Sequence, residues 1–162
     1  ARVLQGGMNV DPILTTLFAE LTKQHNNLKK TLEGASQEAL DWKPGPETNS
    51  LGILAVHVAG AEKFWIGDLT TGRPSKRDRD AEFRVHGVSQ AELVAALDGA
   101  LEDSLAALAN LDVVKLAESR YVERYNREQS IGANILHALT HIALHVGHAE
   151  LTRQLYDQQH AA

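Results

Sequence analysis

The stretch that decides the fold is His137-Ala-Leu-Thr-His141-Ile-Ala-Leu-His145-Val-Gly-His148, in an apolar segment near the end of the chain. Residues four apart in a helix are neighbours on one face, so His141 and His145 can converge on one point. At about 100° per residue, His137 and His148 fall on the same narrow arc. Because the residues between them are apolar, we expect a buried helix whose imidazoles need partners. A divalent metal would satisfy several of them at once.

Two earlier segments also carry apolar side chains at helical spacing. Asp11-Pro12, a capping residue followed by proline, predicts a first helix at about 11–33. Asn49-Ser50 predicts the start of a second helix, which runs to about residue 70 and is stopped by Thr71-Gly72-Arg73-Pro74.

The second half of the sequence predicts two more helices. Ser89 and Glu92 form a capping box that begins the third helix, and Ser130 caps a fourth that runs to about Tyr156. The stretches between the helices are predicted connections at 34–48 and 72–88, and an extended or irregular segment at 110–129. Four long amphipathic segments predict an all-α fold, a four-helix bundle, and the long connections predict one or two crossovers.

Length and composition limit the number of domains and the kinds of site that the chain can contain. Its 162 residues are enough for one domain with its own core. The opening ARVLQGG, which precedes Met8, is typical of an expression-tag remnant, so we predict a tag at 1–7 and a single domain at 8–162. The absence of cysteine suits a cytoplasmic protein without requiring one. Any metal site must therefore use histidine and carboxylate, and any thiol must come from a co-substrate.

The charge balance argues against some partners. A net charge of −5 and a pI near 5.9 disfavour a nucleic-acid partner, which would require a basic face. The basic cluster at 73–79 is interrupted by Asp78, and we predict that it is a solvated connection. No segment approaches the roughly 18 uninterrupted apolar residues of a membrane span. We therefore expect a small-molecule partner, with neither nucleic acid nor a membrane.

A third histidine, His57, lies in the apolar second segment. If its helix faces the last one, three neutral imidazoles leave a fourth coordination position open, as in catalytic rather than structural metal sites. Such a site suits zinc first, with nickel, iron or manganese as alternatives. A cation there can lower the pKa of a bound water or thiol.

Two stretches together resemble the DinB family. One runs from Trp42-Lys43-Pro44 through Asn49-Ser50 to His57 and Trp65, and the other is Thr140-His-Ile-Ala-Leu-His-Val-Gly-His148. The shared pattern is a tryptophan-proline turn, an Asn-Ser helix start, a histidine in an apolar helix, and a late His-x-x-x-His with glycine two positions on. The resemblance spans essentially the whole chain after Met8.

The resemblance implies a four-helix bundle with a divalent metal on His57, His141 and His145. It also implies a thiol-dependent transferase or isomerase, with mycothiol, bacillithiol or glutathione as co-substrate, although many members of the family have no known activity. Dimers are common in the family, which makes a homodimer a candidate assembly.

The chain departs from the family pattern after the last of these histidines. Many relatives carry Arg-Gly-Gln there, whereas this chain carries Val146-Gly147-His148. Loss of the arginine removes a bidentate anion-binding group, and His148 adds a titratable group about one turn from the metal. Either the substrate differs, or His148 takes a ligand or proton-transfer role. The alternative is that His148 simply lies on the helix surface or supports a ligand.

Four further residues are weaker candidates. Glu62 lies about 140° around its helix from His57, so we predict a solvated surface residue, with the alternative that it orients a ligand imidazole. His137 lies one turn beyond the ligand pair and could support it, although a structural role is the simpler interpretation. Tyr121 and Tyr125 could line a pocket.

Three functions are compatible with these residues. The resemblance favours a divalent-metal-dependent S-transferase or isomerase that joins a low-molecular-weight thiol to a small electrophile. A metal-dependent hydrolase is the second. The third is a non-catalytic stress protein that binds a metal or small ligand, which stays open because no general base is recognisable beyond the spare histidines.

Overall fold

The structure is a computed structural model that describes residues 11–72 and 75–161. The predicted tag at 1–7, the predicted start at Met8, and Arg73-Pro74 of the predicted helix stop lie outside the described residues. Within the described ranges no helix is long and apolar enough to cross a membrane.

The fold is a helical bundle with a small hairpin, which confirms the predicted four-helix bundle. In chain order the helices are α1 Pro12–Leu32, α2 Gln37–Asp41, α3 Leu51–Glu62, α4 Leu69–Thr71, α5 Arg79–Glu82, α6 Gln90–Ala109 and α7 Ile131–Gln159. A π-helical segment, Lys63–Asp68, joins α3 to α4, so that together they form the predicted second helix. Helices α1 and α3 each pack against both α6 and α7. The connections between α3 and α6 and between α6 and α7 are long, as predicted.

The predicted caps start the long helices. The side chain of Asp11 accepts a 2.8 Å hydrogen bond from the Ile13 amide, and that of Ser50 accepts from the Ile53 amide. Ser89 and Glu92 form the complete capping box. Each such cap typically contributes about 1 kcal/mol, which explains why these three starts could be located to within a residue or two.

Aliphatic side chains from all four long helices fill the core. Leucines of α1 join the buried face of α3 and the regularly spaced leucines and alanines of α6 in one core. Helix α7 contributes a further row of apolar side chains. The fully buried members include Leu21, Leu28, Leu32, Leu51, Val58, Leu93, Leu97, Leu108 and Ile142. Because both sides of α3 are covered, nearly all of its residues are buried, His57 included.

Two predicted connections contain short helices. The connection 34–48 holds α2, capped by Ser36, and the connection 72–88 holds α5, capped by Asp78. The prediction that the basic cluster is merely solvated is wrong for Arg77, whose side chain is only 12% exposed because it pairs with Glu82. Sequence periodicity misses helices of four or five residues, since they are too short to show a repeat.

The segment that was predicted as extended or irregular is a β-hairpin, with one 3₁₀ turn before its first strand and another between its two strands. Strands β1 Ser119–Val122 and β2 Arg127–Ser130 pair antiparallel, with Ser119 opposite Ser130 and Val122 opposite Arg127. Asn126 adopts a left-handed conformation, with φ of 49°, at the tip, a position that asparagine tolerates better than most residues. The hairpin leads directly into α7 and places Tyr125 beside the bundle.

Candidate metal centre

Three histidines from two helices converge on one point. Nε2 of His141 lies 3.2 Å from Nε2 of His57 and 3.1 Å from Nε2 of His145. His57 is buried, and the two histidines of α7 are partly exposed. The structure therefore brings together the three residues predicted as metal ligands, with the α7 side of the cluster open to solvent.

The spacing fits a divalent cation better than a hydrogen-bonded cluster. Nitrogens that share one tetrahedral zinc ion at about 2.05 Å lie about 3.3 Å apart, close to the two separations measured here. Nε2 of His141 faces both neighbours but carries at most one proton, and cannot donate to both. Three imidazoles also match the donor set that zinc, nickel and iron accept.

The two α7 histidines are held neutral. Burial, followed by the neighbouring imidazoles of His145 and His57, lowers the pKa of His141 to about 3. Burial, with His57 and His148 nearby, lowers the pKa of His145 to about 4. Both rings therefore present unprotonated nitrogens at neutral pH, which is the state a metal requires.

A carboxylate fixes the orientation of His57. Nδ1 of His57 lies 2.8 Å from Oε2 of Glu82, on the short helix α5. Since an ionised carboxylate only accepts, Nδ1 carries the proton and Nε2 is left as an acceptor facing His141. Sequence analysis missed Glu82, because nothing in its spacing from His57, 25 residues away, connects the two.

Arg77 holds that carboxylate in turn. Its Nε and Nη2 donate to the two oxygens of Glu82 at 2.6 and 2.8 Å. Burial alone would raise the pKa of Glu82, but the hydrogen bonds from Arg77 and His57 outweigh it and keep that pKa below its ordinary value. The result is an ordered Arg77–Glu82–His57 relay, of the kind that raises ligand basicity and locks the ring tautomer.

Gly60 makes room for the relay. A Cβ built at this position would overlap Oε1 of Glu82. Glycine is otherwise unfavourable inside a helix, so the small size of Gly60, near the end of α3, has a steric explanation.

The rings of the other two candidate ligands, His141 and His145, have no carboxylate partner of this kind in the described part of the chain. Nδ1 of His145 lies 3.4 Å from Nδ1 of the exposed His148. Nδ1 of His141 is buried and has no hydrogen-bond partner among the residues the structure describes. His57 is thus the most firmly oriented of the three imidazoles.

The expectation that Glu62 is a solvated surface residue is wrong. Glu62 is fully buried, and its Oε2 lies 2.5 Å from Nε2 of His25, which is also fully buried. The contact found for Glu62 is thus with His25 of α1 and not with one of the three converging histidines. The helical angle placed Glu62 away from His57 correctly, but it could not show that α1 covers that side of α3.

A row of aromatic rings leads from the hairpin to the three histidines; this aromatic ladder consists of Tyr125, Trp65 and His137. The ring of His137 lies 4.2 Å from Trp65 and 5.9 Å from His141, by centroids, and Tyr125 stacks on Trp65 at 5.7 Å. Burial, then the charges of Arg127 and Arg124, lowers the pKa of His137. Tyr121 instead faces Asn126 within the hairpin.

Comparison with known proteins shows to which family the chain belongs. A family model for mycothiol-S-transferases matches residues 16–158. The chain belongs to the mycothiol-S-transferase family. This family is DinB-like, so the resemblance inferred from the sequence is confirmed. No curated protein sequence matches the chain.

Two solved structures show that this member of the mycothiol-S-transferase family shares its fold with distant proteins. A conserved protein from Enterococcus faecalis has a TM-score of 0.72 at 14% identity, covering 90% of this chain and 98% of its own. YfiT from Bacillus subtilis, described as "a probable metal-dependent hydrolase with an unusual four-helix bundle topology", has a TM-score of 0.66 at 17% identity and covers 93% of each chain.

Proposed function

We propose that this protein is a divalent-metal-dependent S-transferase that joins a low-molecular-weight thiol to a small electrophile. Its metal ligands in this proposal are His57, His141 and His145. The observation that carries the proposal is the meeting of three Nε2 atoms on the partly exposed side of the bundle. The family model supports the thiol chemistry.

Each group around the centre has a role in this proposal. A divalent cation, with zinc as the first choice, supplies Lewis acidity that favours the thiolate form of the co-substrate. The chain contains no cysteine, so the sulfur comes from a free thiol such as mycothiol, bacillithiol or glutathione. Glu82 and Arg77 keep the His57 ring in place, and the low pKa values of His141 and His145 keep protons from competing for the ligand nitrogens.

The aromatic ladder is the proposed wall for the substrate. Tyr125 is 41% exposed, and the guanidinium groups of Arg127 and Arg124 lie 5.2 and 5.9 Å from its ring. Such a surface suits a planar electrophile or the anionic end of a thiol. Tyr121, on the same hairpin, is 53% exposed and can extend this wall.

A hydrolase is the second candidate, and His148 is the observation that favours it. His148 is exposed and lies beside His145, and an imidazole can serve as a general acid or base. In a transferase the same residue assists proton removal from the incoming thiol. The described function of YfiT is a further reason to keep hydrolysis as the alternative.

One assay separates these proposals. We expect the zinc-loaded protein to conjugate a chloronitrobenzene electrophile with at least one of the three thiols, and to lose that activity after chelation. His141→Ala should be inactive, whereas His86→Ala, which removes a histidine whose side chain is 82% exposed, should be unaffected. Thiol-independent turnover of ester or amide substrates would instead establish the hydrolase. Tight metal retention with no turnover of either kind would leave a binding protein.

We further propose that the protein is a homodimer formed through the outer face of α7. Leu136, Leu144 and Leu151 on this helix are each more than half exposed, and Gly147 between them carries no side chain that would keep a second helix at a distance. A second copy of the chain would bury this apolar stripe. Light scattering should give twice the chain mass, and Leu144→Glu should convert the dimer to a monomer.

A further inference from the structure

A pocket borders the metal centre: Glu82, which holds His57, belongs to its lining, and none of the three histidines does. It has a volume of about 320 Å³ and lies between α3, α6 and the connection that carries α5. Its wall is apolar, formed mainly by Val56, Ala59, Val85 and Ala96, and Lys63 and Arg77 also line it. The volume lies at the lower end of the range for small-molecule sites.

The hydrogen-bond donors at this pocket favour an acceptor group such as a carboxylate. The two acidic residues in its lining are already engaged: Asp78 caps the Ala81 amide at 3.0 Å, and Glu82 is held by Arg77 and His57. The ammonium group of Lys63 lies 3.8 Å from Asp103, too far for a good hydrogen bond. The donor that remains available for a ligand is therefore the ammonium group of Lys63, which lines the same pocket as Arg77.

We propose that this pocket binds a small organic monoanion, with the carboxylate at Lys63 and Arg77 and a short apolar body against Val56, Ala59 and Ala96. The site uses none of the three proposed metal ligands and does not depend on the proposed transferase function.

Arg77 connects this pocket to the metal centre. The same guanidinium group lines the pocket and donates two hydrogen bonds to Glu82, which accepts from His57. An anion beside Arg77 offsets part of its charge, which leaves Glu82 a stronger acceptor and His57 a better metal ligand. Occupation of the pocket should therefore tighten zinc binding by about fivefold, and zinc should tighten anion binding by the same factor, since coupling is reciprocal.

Isothermal titration of the chelator-treated protein with hexanoate, hexanamide and hexylamine tests the proposal. We expect saturable hexanoate binding with a Kd of about 1 mM, typical for a ligand of this size. Hexanamide and hexylamine should bind at least about tenfold more weakly. Equal affinity for the three, or no saturable hexanoate binding, would overturn the site.

Variants locate the site. Lys63→Gln should weaken hexanoate about tenfold, and Ala96→Leu, which fills the pocket, should abolish binding while the protein keeps its helical circular dichroism. Lys30→Gln, which removes the same charge from the exposed face of α1, is the matched control. His141→Ala should bind hexanoate normally. Loss of binding in His141→Ala, or undiminished binding in both pocket variants, would place the anion elsewhere.

The coupling between anion binding and zinc binding is measured separately. Zinc affinity, determined by competition with a chromogenic chelator, should rise about fivefold in saturating hexanoate for the unaltered protein and for Lys30→Gln, and should not rise for Lys63→Gln. An unchanged affinity in the first two proteins would overturn the coupling, and an equal rise in Lys63→Gln would assign the effect to carboxylate binding at the metal.

Discussion

Glu82 accepts a 2.8 Å hydrogen bond from Nδ1 of His57 and thereby determines which ring nitrogen faces His141. Replacement by glutamine keeps the size of the side chain but removes the charge that favours the correct tautomer. We expect Glu82→Gln to lower zinc affinity by about 10- to 100-fold, the usual effect of losing such a partner. Zinc competition against a chelator measures it, with Glu102→Gln, an exposed substitution on α6, as control. Equal affinities for the two variants would contradict a role for Glu82.

The absence of a side chain at Gly60 is the second testable feature of the relay. Gly60→Ala places a methyl group where Oε1 of Glu82 now lies, so the carboxylate must move away from Arg77 or His57. Zinc affinity should fall by about as much as in Glu82→Gln. Gly99→Ala is the matched control, because its added methyl group has no neighbour within 4 Å and should leave zinc binding unchanged.

The three converging histidines should be individually necessary for metal binding. We expect alanine at His57, His141 or His145 to lower zinc affinity more than about 100-fold, beyond the effect of losing a supporting residue. His137→Ala should retain zinc, because its ring packs against Trp65 and lies 5.9 Å from His141 by centroids. Elemental analysis of the purified variants gives the result, and full zinc content in His141→Ala would refute the assignment.

The low pKa values of His141 and His145 make the stability of the metal-free protein depend on pH. Between pH 6.5 and about 4 the unfolded chain binds protons at these histidines and the folded protein does not, so the free energy of unfolding falls as the pH falls. At pH 5 the two histidines together should lower the free energy of unfolding by about 2 kcal/mol, a figure reduced for their partial exposure. Urea unfolding at pH 7 and pH 5 in the presence of chelator measures the loss.

A variant identifies the groups responsible for that loss. His141→Asn should show roughly half of the decrease between pH 7 and pH 5, whereas His86→Asn, at an exposed position, should show all of it. Saturating zinc should raise the free energy of unfolding at both pH values, because metal binding stabilises only the folded state. The difference between pH 7 and pH 5 should remain, since it arises from proton uptake by the unfolded chain.

The local signals of the sequence predicted the long helices well. The caps at Asp11, Ser50 and Ser89 are short-range hydrogen bonds between neighbouring residues, and the i, i+4 spacing of His141 and His145 fixes their common face. These features were predicted correctly because each depends on only a few consecutive residues. The meeting of His57 with the two α7 histidines followed from the family pattern, since no spacing rule connects residues 84 positions apart.

What the sequence did not predict depends on long-range packing. Glu82 reaches His57 because a four-residue helix, capped by Asp78, folds back over α3. Glu62 is buried because α1 covers it. Neither carboxylate differs from a surface glutamate in its local sequence, so only the tertiary structure separates the residue that supports a ligand from the one that pairs in the core.

The buried pair His25–Glu62 should matter for stability and not for metal binding. Both side chains are fully buried, so removing one leaves the other without its polar partner inside the bundle. We expect His25→Leu and Glu62→Leu each to lower the free energy of unfolding by about 3 kcal/mol. The double variant should be markedly more stable than the sum of the two losses predicts, since it leaves no unpaired polar group. Urea unfolding of the four proteins provides the cycle, and zinc affinity should stay within about threefold in each folded variant. A large loss of zinc affinity in Glu62→Leu alone would show that Glu62 supports the metal centre after all.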